Sequence, residues 1–213
     1  MLRVGVADLA RFFKELDDTL AHLNDVQDRF MFETVEIVAP LGAWEFAADS
    51  GRSYLHAERF AKLLQDKTHE FGVDFLACVT NRHMRDDNYY DIYGWWSADP
   101  ELPILIFSTA GLALDALGPA AGRALANQLV ASLAAQLLES VTKSDCMHSS
   151  PPKNCPFYFN AERDSELIVG RRQFDKRCRD ELLKKLPKDL NPESVVAAFD
   201  ALLAAYDDPV TET

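Results

Sequence analysis

The sequence predicts an α+β fold: one mixed sheet with helices packed against one face, and further helices at both ends. Three observations predict it. FLACVT at 75–80 and ILIFS at 104–108 are apolar without alternation, as strands buried on both faces are. FETVEIV at 32–38 alternates and is β-branched, the pattern of a half-buried strand. The Ala-rich segment from about Ala120 to Thr142 is too long for a strand and reads as one helix.

Taken in order, Leu9, Phe13, Leu16, Leu20, Leu23 and Phe30 recur at spacings of four and three, interrupted only at Gln27. That predicts a helix with one narrow apolar stripe. The stripe suits packing on its own domain; its 3.5-residue period also suits a seam for a partner helix. The strand Phe32–Val38 is stopped by Pro40 and Gly42. A helix from about Ser53 to Phe71 presents Leu55, Phe60, Leu63, Leu64 and Phe71, and Gly72 closes it. YYDIYGWW at 89–96 is a further strand, with Asp99-Pro100 and Pro103 marking the turn before ILIFS. Gly118-Pro119 breaks the chain ahead of the long helix. Residues 143–170 have little period and several prolines, so any order there comes from tertiary contacts. Helices resume at Gln173–Leu186 and Pro192–Tyr206, the second opened by Asn191 as N-cap with Pro192 and Glu193 behind it. The expected organisation is an N-terminal helix (1–31), an α+β core (32–187) and a C-terminal helix with a frayed tail (188–213).

The chain has 213 residues and a formal net charge of −12. That length buries a full core without disulfides. The acidic balance argues against coating nucleic acid or an anionic membrane. No secretory signal pattern opens the sequence, and the weakly charged run Ala116–Leu138 holds too many polar groups for a bilayer span. A cytoplasmic protein with reduced thiols is the expectation. Between residues 163 and 188 nine Lys/Arg face five Asp/Glu, a basic stretch in an acidic chain. Arg171 and Arg172 belong to it; they could meet phosphates or a protein partner, although the interleaved acids equally suit a solvated helix face.

The element order, FLACVT, the stretch ending in YGWW, and ILIFSTAGL before the long helix together resemble a zincin-type metallopeptidase core of the archaemetzincin branch. The resemblance spans roughly residues 33–183. It extends to Cys146-Met147, near where that family has a Met-containing turn, and to Phe174-Asp175-Lys176-Arg177-Cys178, like its Cys-bearing C-terminal helix. It implies a zincin-like fold and, for an active member, HExxH on the long helix. Two His at i and i+4 would share a zinc ion, with Glu as general base. This helix reads GRALANQLVASLAAQLLESV, and from Ala116 to Leu138 it has no His, Glu, Asp or Cys. The family's peptidase activity therefore passes to no residue here. At i,i+4 spacing the helix carries Gln128, Ser132, Gln136 and Ser140, either a solvent-facing stripe or a vestigial pocket that binds without turnover.

His69-Glu70 fails as a zinc motif because position 73 is Val. Cys146, His148, Cys155 and Cys178 are the candidate ligands of a structural zinc, with free thiols or a disulfide as alternatives. The family's second, cysteine-bound zinc, implied by the resemblance, favours the first. His83, Asp86 and Asp87 crowd one loop, and with Cys78 nearby a Cys–His hydrolase or loop metal site is conceivable beside a plain solvated turn. Tyr89, Tyr93, Trp95 and Trp96 make an aromatic strand fit for a protein contact or for strand addition. The resulting expectation is a non-catalytic adaptor, regulator or sensor that contacts proteins through the Leu9–Phe30 stripe, the aromatic strand and the polar side of the long helix. Ligand-free relatives of this kind work beside effectors in multi-component systems, bacterial defence among them. The alternative is a hydrolase or metalloenzyme built from the loop His and Asp or from the Cys set.

Overall fold

The computed structural model describes residues 1–38, 41–47, 51–97, 99–112, 119–160 and 164–207. The strand stop at Pro40, the break at Gly118 and the end of the tail lie outside them. Eight strands and seven α-helices are described: β1 (Leu2–Asp8), α1 (Leu16–Asp25), β2 (Phe30–Thr34), β3 (Trp44–Ala47), β4 (Arg52–His56), α2 (Ala57–Leu63), α3 (Lys67–Phe71), β5 (Phe75–Thr80), β6 (Met84–Arg85), β7 (Gly94–Trp96), β8 (Ile104–Ser108), α4 (Pro119–Thr142), α5 (Glu166–Val169), α6 (Lys176–Lys185) and α7 (Pro192–Ala204).

The strands form two sheets where one was expected. The main sheet runs β2-β1-β5-β8-β7; its first four strands are parallel, and β7 is antiparallel to β8. The second sheet is β3-β4-β6. Helices cover both faces of the main sheet, not one. Val4, Val6, Ala77, Val79, Leu105 and Phe107 pack on α1, α4, α6 and α7, while Ala7, Leu76, Cys78, Ile104 and Ile106 pack on α2 and the small sheet. That two-sided burial is why FLACVT and ILIFS lack alternation: every residue of β5 and β8 is buried.

The N-terminal segment departs most from expectation. Residues 2–8 form β1, hydrogen-bonded between β2 and β5 in the middle of the sheet. The Asp8 carboxylate then accepts the backbone N–H of Ala10 and Phe13, holding a turn in which Arg11 has φ 51°. Helix α1 therefore starts only at Leu16. Leu16, Leu20 and Leu23 point into the main core, so the stripe is filled by the protein's own sheet; Leu9 and Phe13 lie in the turn, partly buried. The expected helix over 53–71 also splits. Arg52–His56 pairs with Trp44–Ala47 as a hairpin, and two short helices follow. Gly72 ends the second in the left-handed region (φ 65°), as read. The strand FETVEIV ends at Thr34.

Helix α4 holds the layers together. It is buried on nearly every side, against the sheet below and α6 and α7 above. A Cβ on Gly122 would sit 2.5 Å from the Tyr206 ring, so that ring rests directly on the bare helix backbone and would have to shift for any larger residue. Asn127, fully buried, donates to the Ile168 and Gly170 carbonyls and ties α5 to the bundle. Helices α6 and α7 are capped by Asp175 and Asn191, the second as read from sequence. Among the described residues no helix is long and apolar enough to cross a membrane.

Two substitutions test this packing. Leu23→Ala should cost about 2–5 kcal/mol in urea unfolding; an unchanged midpoint would return the stripe to a partner. Gly122→Ala should cost about 1–3 kcal/mol by overpacking against Tyr206, measured the same way.

Candidate functional site

Strand β7 is the outer strand of the main sheet and lies beside α4. Its antiparallel register sets Gly94 opposite Phe107, Trp95 opposite Ile106 and Trp96 opposite Leu105. The Ser108 N–H donates to the Tyr93 carbonyl and the Ser97 N–H to the Ile104 carbonyl, so the odd-numbered residues bond β8. By alternation, Gly94 and Trp96 direct their backbone N–H and C=O groups away from the sheet. Gly94 also faces α4, where a Cβ would lie 3.0 Å from Gln128 Oε1 and 3.9 Å from Ser132 Oγ. Trp96 Nε1 donates to Glu139 Oε2 at 3.0 Å, and the other oxygen of this buried carboxylate accepts the Cys146 N–H at 3.1 Å. Trp95 projects to the opposite face, into the second core. Of the stretch expected as a strand, 89–93 is loop: Asp86 Oδ1 accepts from the Asn88 and Tyr89 N–H groups, and Asp91 has φ 57°.

Two adjoining cavities follow this edge. One of ≈ 440 Å³ is walled by Asp86, Trp95, Trp96, Glu139, Asp145 and His148. The other, ≈ 200 Å³, reaches Tyr93, Gln128, Ser132, Tyr158, Asn160 and Arg172. Tyr89, Gly94, Trp96, Met147 and Phe159 line both, and the Tyr89 and Phe159 rings meet at 5.5 Å.

The polar stripe of α4 divides along its length. Gln128 and Ser132 line the smaller cavity. Gln136 is buried and donates to the Leu102 carbonyl at 3.2 Å. Ser140 bonds back to the Leu137 carbonyl. The stripe therefore faces β7 and its turn rather than solvent.

The irregular segment after α4 is ordered by a fold-back of its own. His148 N–H donates to the Phe157 carbonyl and Phe159 N–H to the His148 carbonyl, while Gln173 N–H holds the Asn154 carbonyl. These bonds bring His148, Cys155, Asp175 and Cys178 together, with their ligand atoms all within 4.8 Å of one another. Cys146 is not among them. It lies with Glu139 and Asp145, and burial together with the Glu139 charge pushes its thiol far up. The fourth corner is Asp175, which the sequence reading missed. As N-cap of α6, Asp175 accepts the Cys178 N–H at one oxygen and turns the other, Oδ2, to the cluster, 3.3 Å from His148 Nε2. The signal was present as D-x-x-C at a helix start, a cap and a third-position thiol that necessarily meet.

The donor set fits a metal. His148 Nδ1 lies 2.8 Å from the Ser150 carbonyl, which fixes the N–H there and leaves Nε2 as the lone-pair nitrogen, buried and without a hydrogen bond among the described residues. A tetrahedral zinc with bonds of about 2.0–2.3 Å needs ligand atoms roughly 3.3–3.8 Å apart, within about an ångström of the spacing present. The Cys155 thiol is held down at about 6, foremost by its hydrogen bond with Cys178, whose own thiol is pushed up by the same bond. Burial raises Asp175, but the Cys178 N–H and thiol outweigh it and leave the carboxylate low. None of the four cysteines is in a disulfide.

Arg172 is buried beside this cluster and donates to the Cys155 carbonyl. Burial lowers its pKa to about 10, so it stays charged at neutral pH. It cannot form an exterior patch with Arg171, which is exposed and pairs with Asp207 at 2.9 Å. Lys176–Asp180 and Arg179–Asp200 are likewise paired, so among the described residues three of the nine cations of the stretch are matched by carboxylates. The loop acids are also apart from the histidine they were grouped with. His83 meets Asp91 at 2.5 Å, Asp87 meets His56 at 3.1 Å, and Cys78 is buried with its thiol pushed up.

The sequence matches no family model, and no curated protein matches it. Among solved structures the chain is similar to the archaemetzincin of Archaeoglobus fulgidus complexed with malonate (TM-score 0.57, 13% identity, 84% of this chain and 99% of that one). It is also similar to the archaemetzincin of Methanopyrus kandleri (TM-score 0.54, 14% identity, 86% and 93%) and to a zinc-dependent peptidase of Methanocorpusculum labreanum (TM-score 0.53, 12% identity, 84% and 98%). At such identities the likeness shows the fold, an archaemetzincin-like α+β arrangement.

Proposed function

We propose that this chain is a non-catalytic zincin-like protein that binds a protein partner as an adaptor, regulator or sensor. In this reading His148, Cys155, Asp175 and Cys178 hold one structural zinc. The zinc would supply folding energy to a segment with little regular structure of its own. Three anionic ligands and a neutral imidazole leave about one negative charge around a divalent ion, and the buried Arg172 offsets it.

The observation that carries the reading is the chemistry α4 offers to its cleft. The helix supplies Gln128 and Ser132 where an active zincin-type site needs ligands, and its sequence from 119 to 142 holds no His or Cys. The metal-ready donors converge instead on the 148–178 segment. Beside the helix, β7 presents outward backbone groups at Gly94 and Trp96 and an aromatic wall, the features that hold an extended segment by strand addition. Cytoplasmic residence accords with two thiols placed to ligate rather than to cross-link.

Metal analysis of the purified chain should give about one zinc per molecule, lost in Cys155→Ser and in Cys178→Ser but kept in Cys146→Ser. Chelation should lower Tm by roughly 10 °C. Zinc-dependent peptide hydrolysis abolished by His83→Ala would overturn the non-catalytic reading. A partner recovered from the host with the wild-type chain should be lost with Gly94→Pro, which removes an outward N–H at the edge; retention would remove β7 from the interface.

A further inference from the structure

Of the two cavities along the β7 edge, the smaller is a ring-walled chamber, with Tyr89, Tyr93, Tyr158 and Phe159 on its lining. The larger, ≈ 440 Å³, carries charge of one sign. Asp86, Glu139 and Asp145 line it, and among the described residues no Lys or Arg does. His148 also lines it; on the zinc reading it is a neutral ligand. Among the described residues none of the three carboxylates forms an ion pair. Their hydrogen bonds come from neutral N–H groups of Asn88, Tyr89, Trp96, Cys146 and Met147. Arg85, next to Asp86 in sequence, directs its guanidinium to Glu45, Tyr90 and the Asp86 carbonyl.

Glu139 is over nine-tenths buried, and one of its oxygens lies within 4.8 Å of one from Asp145. Like charges this close repel, and a buried carboxylate lacking a counter-ion is costly. A cleft of one sign with walls of low polarity concentrates such a field. Asp145 is exposed and Asp86 partly so, which sets two of the charges on the solvent side. Gly94 and Trp96 face α4, and residues of an added strand opposite them would share that face. Every second side chain of such a strand would therefore stand over the acidic cavity. The volume equals about fifteen waters of liquid, ample for one long side chain.

We propose that the segment added at β7 carries a Lys or Arg side chain that enters this cavity. The inference rests on the strand-addition reading above and names the chemistry of the segment. Asp86, Glu139 and Asp145 supply the countercharge, while Tyr89, Trp96 and Phe159 cover the apolar stem and attract the cation. The acidic balance of the whole chain, −12, steers a basic segment toward the cleft.

The test is calorimetric titration of the full, zinc-bearing chain with peptides Thr-Val-Thr-X-Thr-Val-Thr, blocked at both ends, in which X is Lys, Arg, Gln or Glu. The Lys or Arg peptide should saturate with a Kd near or below about 1 mM. The Gln peptide should bind at least about tenfold more weakly, and the Glu peptide more weakly still. Asp86→Asn with Asp145→Asn keeps an acceptor oxygen for each turn; it should cut the Lys-to-Gln ratio to less than about half. Gly94→Pro should remove binding of the basic peptides, with the melting midpoint measured on each variant. No saturation by either basic peptide up to about 5 mM, a Gln peptide as tight as the Lys peptide, or an unmoved ratio in the double variant would each overturn the proposal. So would a second metal ion held at Glu139 and Asp145, or blocked lysine alone binding as tightly as the peptide. Lys and Gln peptides that bind alike, and are both lost in Gly94→Pro, would leave strand addition standing and remove only the basic side chain. Basic-peptide binding that survives Gly94→Pro would remove both.

Discussion

The constraint on which the rest depends is the burial of α4. A helix enclosed on nearly all sides must find partners for each polar group it carries. Here the solutions build the molecule: Asn127 clasps the α5 turn, Gln136 holds the Leu102 carbonyl before β8, and Glu139 joins Trp96 of β7 to the Cys146 backbone. Gln128 and Ser132, partway along, open on a cavity instead. The cavity thus adjoins Ser132, whose Oγ finds no hydrogen-bond partner among the described residues.

Much of this was legible in the residues, for definable reasons. Buried strands lack alternation, so β5 and β8 could be read directly, and the cap at Asn191 and the stop at Gly72 follow from local chemistry. Strand β1 was not legible because Leu9 and Phe13 extend the true period of Leu16, Leu20 and Leu23 backward by coincidence. Only the Asp8-bonded turn, a local competitor of the helix, separates them. The hairpin β3–β4 was missed for a similar reason, since Leu55 fits a helical face as well as a pleat. The candidate metal cluster was three-quarters legible. Thiols and imidazole announce themselves, but Asp175 reads as one acid in a mixed-charge helix until its cap geometry is known.

The acidic charge of the chain takes a different meaning at this resolution. The basic stretch after Gly170 is only partly exterior. Its most distinctive member, Arg172, is interior, and several of the others close ion pairs with α6, α7 and the residues after α7. Exposed pairs of this sort add little stability. Arg177, Lys184, Lys185 and Lys188 are exposed as well, so that flank keeps a basic character.

Arg172 touches both halves of the molecule's chemistry. One nitrogen fixes the carbonyl of a cluster residue, and the side chain also lines the ring-walled chamber. A shared group of this kind gives the two places a physical route for coupling. Whatever factor an occupant of the chamber adds to retention of a metal at the cluster, the metal returns to that occupant in full, since coupling between binding equilibria is reciprocal.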